Sequence, residues 1–144
     1  MRKILITGAS NGLGFALAEH FLSNGETVVI NTRTPTTAEL TEKKIAANKF
    51  KGKHLIIPAD VKNRKQVQNL FALANEKVGQ IEVVINCAGI NIDKSFMQMD
   101  DESWDKVVDT HLKGTFISSQ EFSRQYAGES CLLYTSDAAD DTNR

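Results

Sequence analysis

The sequence has few of the features that mark several classes of protein. Its two cysteines, Cys87 and Cys131, are too few for a disulfide framework or a cysteine-based metal site. The formal net charge of −1 gives no basic footprint for nucleic acid. No apolar run approaches the roughly 20 residues that a membrane span needs, and the first strand begins too early to leave room for a signal peptide. These absences favour a reduced, cytoplasmic protein without nucleic-acid or membrane partners.

What the sequence does contain is an ordinary globular composition, with 41% hydrophobic and 24% charged residues. Its 144 residues suffice for one domain or part of one. Apolar segments typical of strands alternate with segments of helical periodicity, and no repeat or low-complexity linker occurs before residue 128. The predicted strands lie near 2–7, 26–31, 53–58 and 81–86, and the predicted helices near 12–24, 36–49, 63–78 and 101–125.

This alternation predicts an α/β fold, a Rossmann-type doubly wound parallel sheet with helices on both faces. Right-handed crossovers give the strand order 3-2-1-4 for the four βα units present. Apolar periodicity also predicts which helix faces pack against the sheet. The predicted stripes comprise Leu13, Ala16, Leu17 and Phe21 in the first helix, Val67, Leu70, Phe71, Ala74 and Val78 in the third, and Trp104, Val107, Val108, His111, Leu112 and Phe116 in the fourth.

A glycine-rich segment joins the first predicted strand to the first helix and contains Gly8, Gly12 and Gly14. Backbone N–H groups at such a turn point outward at the positive end of the helix dipole, where they bind phosphate. Glycine is needed because a Cβ would block a pyrophosphate, or the approach of helix to strand. The alternative is a tight connection without a ligand. A second glycine turn, Asn86–Gly89, follows the fourth strand and is expected at the same sheet edge.

Four motifs, in order, resemble those of the classical short-chain dehydrogenase/reductase family. The spacing T-G-x-x-x-G-x-G over residues 7–14 is similar to the family's cofactor loop, and Asp60–Val61 to its adenine-contacting Asp-Val pair. Asn86–Gly89 resembles its N-N-A-G motif, with cysteine in the second place. Asp93–Phe96 and Leu112–Phe116 lie in a stretch most similar to 3-oxoacyl-acyl-carrier-protein reductases and acetoacetyl-CoA reductases.

The resemblance implies a nicotinamide dinucleotide cofactor and no metal. The residues that match the family's cofactor-binding positions are Gly8, Ser10, Asn11, Gly12, Leu13, Gly14, Thr32, Arg33, Asp60, Val61, Asn86, Ala88 and Gly89.

The end of the second strand predicts which nicotinamide cofactor binds. Dinucleotide sites usually carry an acidic residue here, which binds the adenosine ribose hydroxyls. By alignment with the family, Thr32 takes that position and Arg33 follows it. A guanidinium would pair with the 2′-phosphate of NADP(H), and such a charge-assisted bond contributes roughly 1.5–3 kcal/mol. The sequence therefore predicts NADP(H) over NAD(H), and the alternative is a solvated loop arginine.

The catalytic residues that the resemblance implies are largely missing from this chain. In the family, a tyrosine protonates the carbonyl, a lysine four residues later lowers the tyrosine pKa, and a serine orients the substrate. Neither Tyr126 nor Tyr134 has a lysine at that spacing. His111 stands where the family has an asparagine that supports a water in the proton relay. It is either a relay residue or a satisfied, half-buried histidine on the apolar stripe of its helix.

The end of the chain does not resemble the family. Cys131–Asp140 resembles the translation of a transposase-type sequencing adapter. We therefore expect residues 1–130 to be an incomplete cofactor-binding part of the domain, and residues 131–144 to be a non-native tail. The alternative is that 131–135 forms the fifth strand and Ser136 is the catalytic serine.

Together these observations predict an oxidoreductase that transfers hydride from NADPH to a carbonyl of a small molecule, a 3-oxoacyl thioester, in a homo-oligomeric full-length protein. The 144-residue chain itself is expected to be inactive and poorly soluble and to bind NADP(H) weakly or not at all, because its fourth strand would present an open edge and the missing half would not support the 101–125 helix. Two alternatives stay open. One is a non-catalytic NADP(H)-sensing domain. The other is a reductase of another carbonyl or alcohol, such as a sugar, polyol or steroid.

Overall fold

A computed structural model describes residues 1–127 of the chain; the predicted tail at 131–144 lies outside these residues. Four parallel strands form one sheet in the order β3-β2-β1-β4. The strands are β1 (Lys3–Thr7), β2 (Thr27–Thr32), β3 (His54–Pro58) and β4 (Val83–Asn86). The helices are α1 (Gly12–Ser23), α2 (Pro35–Ala46), α3 (Arg64–Val78), α4 (Asp101–Val108) and α5 (Gly114–Arg124), with a 3₁₀ turn at Phe96–Gln98 and a π turn at Asp109–Lys113. The predicted doubly wound α/β fold and its strand order are confirmed.

The two central strands are buried on both faces, which explains their continuous apolar sequences. Leu5 of β1 is in register with Val29 of β2 and with Val84 of β4. Leu5 and Val29 face the core shared with α3 and α5, whereas Ile6 and Ile30 face the core under α1 and α2. Because all four strands are parallel, they end at the same edge of the sheet, and the turns after β1, β2, β3 and β4 lie together there.

Helix α3 packs as its periodicity predicts. Val67, Leu70, Phe71 and Ala74 are buried against the sheet. The side chain of Asn63 caps the first turn by accepting from the Gln66 N–H. This cap fixes the start of α3, and so the end of the turn between β3 and α3. That turn contains the predicted site residues Asp60 and Val61.

The predicted apolar stripe of α1 is right in part: Leu17 and Phe21 are partly buried and pack against the core, but Leu13 and Ala16 do not. Gly14, Ala18 and Leu22 are the buried residues, whereas Leu13 is 72% exposed and Ala16 is exposed. The cause is the close approach of the first turn to β1, since a Cβ on Gly14 would lie 2.9 Å from the Gly8 carbonyl oxygen. Small residues therefore face the sheet, and a pattern that counts large apolar residues selects the neighbouring face.

The single helix predicted over 101–125 is three segments, because a π turn separates α4 from α5. The predicted stripe does not face the described core: Trp104, Leu112 and Phe116 are 61%, 70% and 56% exposed. The buried residues of this region are Ile117, which joins the core under α3, and five small or polar residues, namely Ser103, Thr110, Gly114, Ser118 and Glu121. A π turn carries one extra residue, which rotates the following helix relative to the α-helical repeat.

One buried carboxylate fastens α5 to α3. Glu121 is 8% exposed and accepts a hydrogen bond of 2.7 Å from Arg64, with further bonds from Gln68 and Arg124. The Arg64 guanidinium also lies 5.6 Å from the centroid of the Phe116 ring. A buried charge with several donors is satisfied, and the contact holds α5 against α3. Within residues 1–127, no helix has the length and apolar character of a membrane span.

Candidate cofactor site

The turn after β1 is built around glycines that approach neighbouring backbone. Gly8 and Gly12 have positive φ angles of 61° and 57°, a region that favours glycine. A Cβ on Gly8 would lie 2.5 Å from the Ala88 Cα, so the turns after β1 and β4 touch backbone to backbone. Asn11, the N-cap residue of α1, makes no side-chain capping bond. The first N–H groups of α1 are thus left for another partner, as a phosphate cradle requires.

The turn after β4 is fixed to β1 by a buried hydroxyl. Thr7 is 1% exposed, and its Oγ1 accepts hydrogen bonds of 3.1 Å from both the Cys87 and the Ala88 N–H groups. Burial raises the pKa of the Cys87 thiol above its ordinary value. Asn86 is exposed and donates to the Ser119 hydroxyl of α5 at 3.2 Å. The Asn86–Gly89 motif therefore lies directly beside the glycine turn.

The turn after β3 places Asp60 and Val61 next to the π turn. The Asp60 N–H donates to the Gln66 side chain at 2.8 Å, and the Asp60 carboxylate accepts from the Lys62 N–H at 3.0 Å. Val61 is buried against Gly114, where a Cβ would come within 2.7 Å of the Val61 Cγ2. Gly114 is therefore required for α5 to approach this turn.

The turn after β2 leaves a cation exposed. Thr32 is fully buried and donates its hydroxyl to the Thr34 carbonyl at 3.2 Å. Thr34 in turn caps α2 by accepting from the Thr37 N–H. Arg33, between these two anchored residues, is exposed and makes no ion pair or hydrogen bond within residues 1–127. It lines a groove of about 440 Å³ together with Pro35, Ile57, Pro58, Gln66, Asn69, Leu70 and Leu73.

His111 lies in the π turn and contacts the loop after β4. Its Nε2 is 2.8 Å from the Ile90 carbonyl oxygen and 3.1 Å from the Ile90 nitrogen. A neutral ring can use this atom either to donate to the carbonyl or to accept from the N–H. The ring fills the space beside Gly89, where a Cβ would lie 2.4 Å from the His111 Cε1. The expectation of a half-buried histidine on an apolar stripe is wrong: the residue is exposed, and its ring bonds to backbone.

The structure thus brings together most of the predicted site residues at one edge of the sheet. Gly8 touches Ala88, and Gly89 touches His111. Tyr126 lies elsewhere, because its hydroxyl donates to the carbonyl of Ile81, at the opposite end of β4. Ser136 and Tyr134 fall outside the described residues. Among residues 1–127, no group of three or more histidines, cysteines or acidic residues is placed to hold a metal.

Sequence reasoning missed the polar side chains that hold these turns. Thr7, Asn31 and Gln66 each bond to the backbone of a turn in the site. The available signal was a polar residue at the last or next-to-last position of a strand that is otherwise apolar, as Thr7 and Asn31 are. Such residues are buried where the strand ends, so they pair with the exposed backbone of the neighbouring turns.

A parallel α/β sheet with glycine turns at its carboxyl edge is typical of nucleotide-binding proteins. The family model described as short chain dehydrogenase matches residues 2–131. The chain therefore belongs to the short-chain dehydrogenase/reductase family.

Individual relatives agree with this assignment. The short-chain reductase protein NovJ of Streptomyces niveus is 37% identical over 117 residues, which are 80% of this chain and 43% of that protein. A 3-oxoacyl-[acyl-carrier-protein] reductase of Synechocystis is 34% identical over 121 residues, 83% of this chain and 48% of that protein. A crystal structure of a short-chain type dehydrogenase/reductase from Mycobacterium marinum superposes with a TM-score of 0.79 at 28% identity, over 88% of this chain and 51% of that one. The chain spans about half the length of the curated relatives it matches.

Proposed function

We propose that this chain is the cofactor-binding half of an NADP(H)-dependent reductase that acts on a carbonyl, that of a 3-oxoacyl thioester. The observation that carries the proposal is the backbone contact between Gly8 and Ala88 beside an uncapped helix N-terminus. A Cβ at Gly8 would clash with the Ala88 backbone and force the two turns apart. The turn is therefore shaped for close approach rather than only for a reversal of the chain. The relative from Synechocystis supports the substrate class, since its name is that of a 3-oxoacyl-[acyl-carrier-protein] reductase.

In this proposal the glycine turn holds the pyrophosphate. The backbone of Ser10, Asn11 and Leu13 lies along the first turn of α1 and its approach, where free N–H groups and the helix dipole attract negative charge. Leu13 is 72% exposed and so leaves an apolar surface beside the phosphates. The nicotinamide end supplies hydride to the carbonyl when bound, while the chain's residues orient it.

The adenosine end is assigned to the turns after β3 and β4. The Asp60 carboxylate keeps an oxygen that is free of short hydrogen bonds, at 3.9 Å from the Lys62 ammonium, and can accept from the adenine amino group. Val61 and Ala88 offer apolar contacts on either side. Asn86 and Gly89 complete the wall beside His111.

Arg33 supports NADP(H) rather than NAD(H). Thr32 carries no charge and its hydroxyl is already bonded to Thr34, so no carboxylate at this position repels a phosphate. The Arg33 guanidinium is exposed and has no partner among the described residues, so it is free to pair with a 2′-phosphate. Such a charge-assisted bond contributes roughly 1.5–3 kcal/mol.

The cofactor preference is tested by isothermal titration of the full-length protein that the source locus encodes, and of its Arg33→Asp variant, with NADPH and NADH. We expect the native chain to bind NADPH roughly 10- to 150-fold more tightly than NADH, as the free energy of one charge-assisted bond implies. Arg33→Asp should remove or reverse this preference, while Arg2→Asp, at the opposite edge of the sheet, should leave the ratio unchanged. An unchanged preference in Arg33→Asp would refute the role of Arg33.

Catalysis in the whole protein requires a proton donor that residues 1–130 do not supply. We assign it to a tyrosine with a lysine four residues later in a longer native protein, and we assign residues 131–144 to a non-native tail. His111 would support the proton relay through its ring. The exposed side chains of Trp104, Leu112 and Phe116 supply an apolar face for a second subunit. We also assign the protein to the cytoplasm.

A second candidate is a non-catalytic NADP(H)-sensing domain. The observation in its favour is that the sequence contains the cofactor motifs but no tyrosine followed at the fourth position by lysine. Reading the source locus from upstream of codon 125 separates the two functions. A continuation into an apolar strand ending in serine, then Tyr-x-x-x-Lys, supports the reductase. A locus that encodes Cys131–Arg144 and then a stop supports the sensor.

A further inference from the structure

Asn31 is a polar residue buried at the end of β2, between two turns of the candidate site. It is 1% exposed, although the three residues before it are apolar and line the core. Its Oδ1 accepts a hydrogen bond of 3.3 Å from the Gly8 N–H in the glycine turn. Its Nδ2 lies 3.2 Å from the Ile57 carbonyl oxygen and 3.0 Å from the Ala59 carbonyl oxygen, at the end of β3.

Backbone bonds extend the same connection. The Ala9 N–H donates to the Asn31 carbonyl at 2.9 Å, so two consecutive N–H groups of the glycine turn end on this residue. The Ala59 N–H donates to the Thr32 carbonyl at 2.8 Å, and Asn31 Nδ2 lies 3.0 Å from that same carbonyl oxygen. One residue thereby joins the turn that leads to α1 with the turn that leads to α3.

The partners also fix how the amide is oriented. An N–H group faces one end of the side chain and three carbonyl oxygens face the other, so only the oxygen-to-Gly8 orientation satisfies the network. A carboxylate would place an oxygen against those carbonyls. An apolar isostere would leave the Gly8 N–H without this acceptor, and an unpaired buried polar group is unfavourable.

We propose that Asn31 is a positioning residue for the cofactor: it sets the separation between the glycine turn and the turn that contains Asp60. This inference rests on the proposed function, because it assigns the two turns to the pyrophosphate and the adenosine of one dinucleotide. A ligand that spans two turns binds tightly only if their spacing is fixed in advance. Asn31 touches neither end of the ligand and acts through backbone.

The test compares Asn31→Leu with Thr41→Val, a control at an equally buried polar residue. Thr41 is 1% exposed and donates its hydroxyl to the Thr37 carbonyl within α2, away from the site. NADPH affinity of the full-length protein that the source locus encodes is measured by titration at temperatures where all variants are folded to the same fraction. We expect Asn31→Leu to weaken NADPH binding about tenfold or more, because small displacements of binding groups have large effects. Thr41→Val should bind as the native chain does.

A second measurement tests the positioning role without the ligand. Amide hydrogen exchange, followed by NMR without cofactor, should accelerate in Asn31→Leu at Gly8, Ala9 and Ala59 and stay unchanged in the strand centres. If Asn31→Leu does not fold, Asn31→Ser replaces it in both measurements. The smaller side chain leaves room for a water in place of the amide.

The outcomes separate this inference from the proposed function. A full-length native protein that fails to bind NADPH contradicts the proposed function, while the exchange pattern still tests the link between the turns. Equal NADPH affinity in the native and Asn31→Leu chains, or an equal loss in Thr41→Val, overturns the positioning role. Uniform acceleration of exchange across the sheet likewise reduces Asn31 to a residue that only stabilises the fold.

Discussion

The region from β1 to α3 and the region from α4 to α5 bury different kinds of residue. In the first, large apolar side chains such as Ile30 and Leu70 are almost fully buried. In the second, the large apolar side chains of Trp104 and Leu112 are mostly exposed, and Ser118 is among the residues buried in their place. A periodic apolar pattern therefore has two meanings here. It marks the core in α3, and an exposed surface in α4 and α5.

A matched pair of leucines tests this comparison with the largest expected effect. Leu70→Ala removes a side chain that is 1% exposed and should lower the free energy of unfolding by about 2–5 kcal/mol. Leu112→Ala removes the same atoms from a side chain that is 70% exposed and should change it by less than about 0.5 kcal/mol. Urea unfolding measures both. A large loss in Leu112→Ala at low protein concentration would contradict the assignment of this side chain to a surface.

A matched pair of glycines sharpens the comparison within the site. Gly8→Ala and Gly12→Ala both strain a positive φ angle, which costs about 1–2 kcal/mol. Only Gly8→Ala also meets backbone, at 2.5 Å from the Ala88 Cα, whereas nothing lies within 4 Å of a Cβ on Gly12. Overpacking should add about 1–3 kcal/mol to the Gly8→Ala destabilisation. Thermal unfolding of the two variants gives the difference, and equal losses would show that the two turns do not touch.

The smallest expected effect concerns the start of α4. Asp100 caps this helix by accepting from the Ser103 N–H, and its hydrogen bond to Lys94, followed by those to Ser103, holds its pKa well below the ordinary value of 3.8. Because the folded pKa is lowered, the stabilisation is present above the ordinary value and is lost as the pH falls toward the folded pKa. Asp100→Asn should therefore flatten the acid limb of the stability–pH curve slightly. The control is Asp93→Asn, which leaves the Asp100 cap and its hydrogen bond to Lys94 in place.

The elements of the first region could be predicted because several local signals agree there. The stripe of α3 from Val67 to Ala74, the Asn63 cap and the apolar strands all indicate the same structure, and the glycine turn carries its own spacing. The strand order follows from the handedness of the crossovers. These features depend on neighbours in sequence and on general geometry.

The remaining features depend on contacts that a linear pattern does not contain. The buried face of α1 is set by how closely Gly14 approaches the Gly8 carbonyl, and the π turn by the packing of Gly114 on Val61. The contact of His111 with Ile90 joins segments 21 residues apart in sequence. No local periodicity encodes these distances, so the residue at 111 could be singled out but its partner could not.

The contact between Gly8 and Ala88 also has a consequence for how this kind of site can diversify. Two turns that touch through backbone, and that Thr7 links by hydrogen bonds, can accept change only together, since a larger residue in either displaces the other. Arg33 stands outside this contact and makes no bond within residues 1–127. Selection, or a protein engineer, can therefore exchange the charge at position 33 while the glycine turn is inherited unchanged.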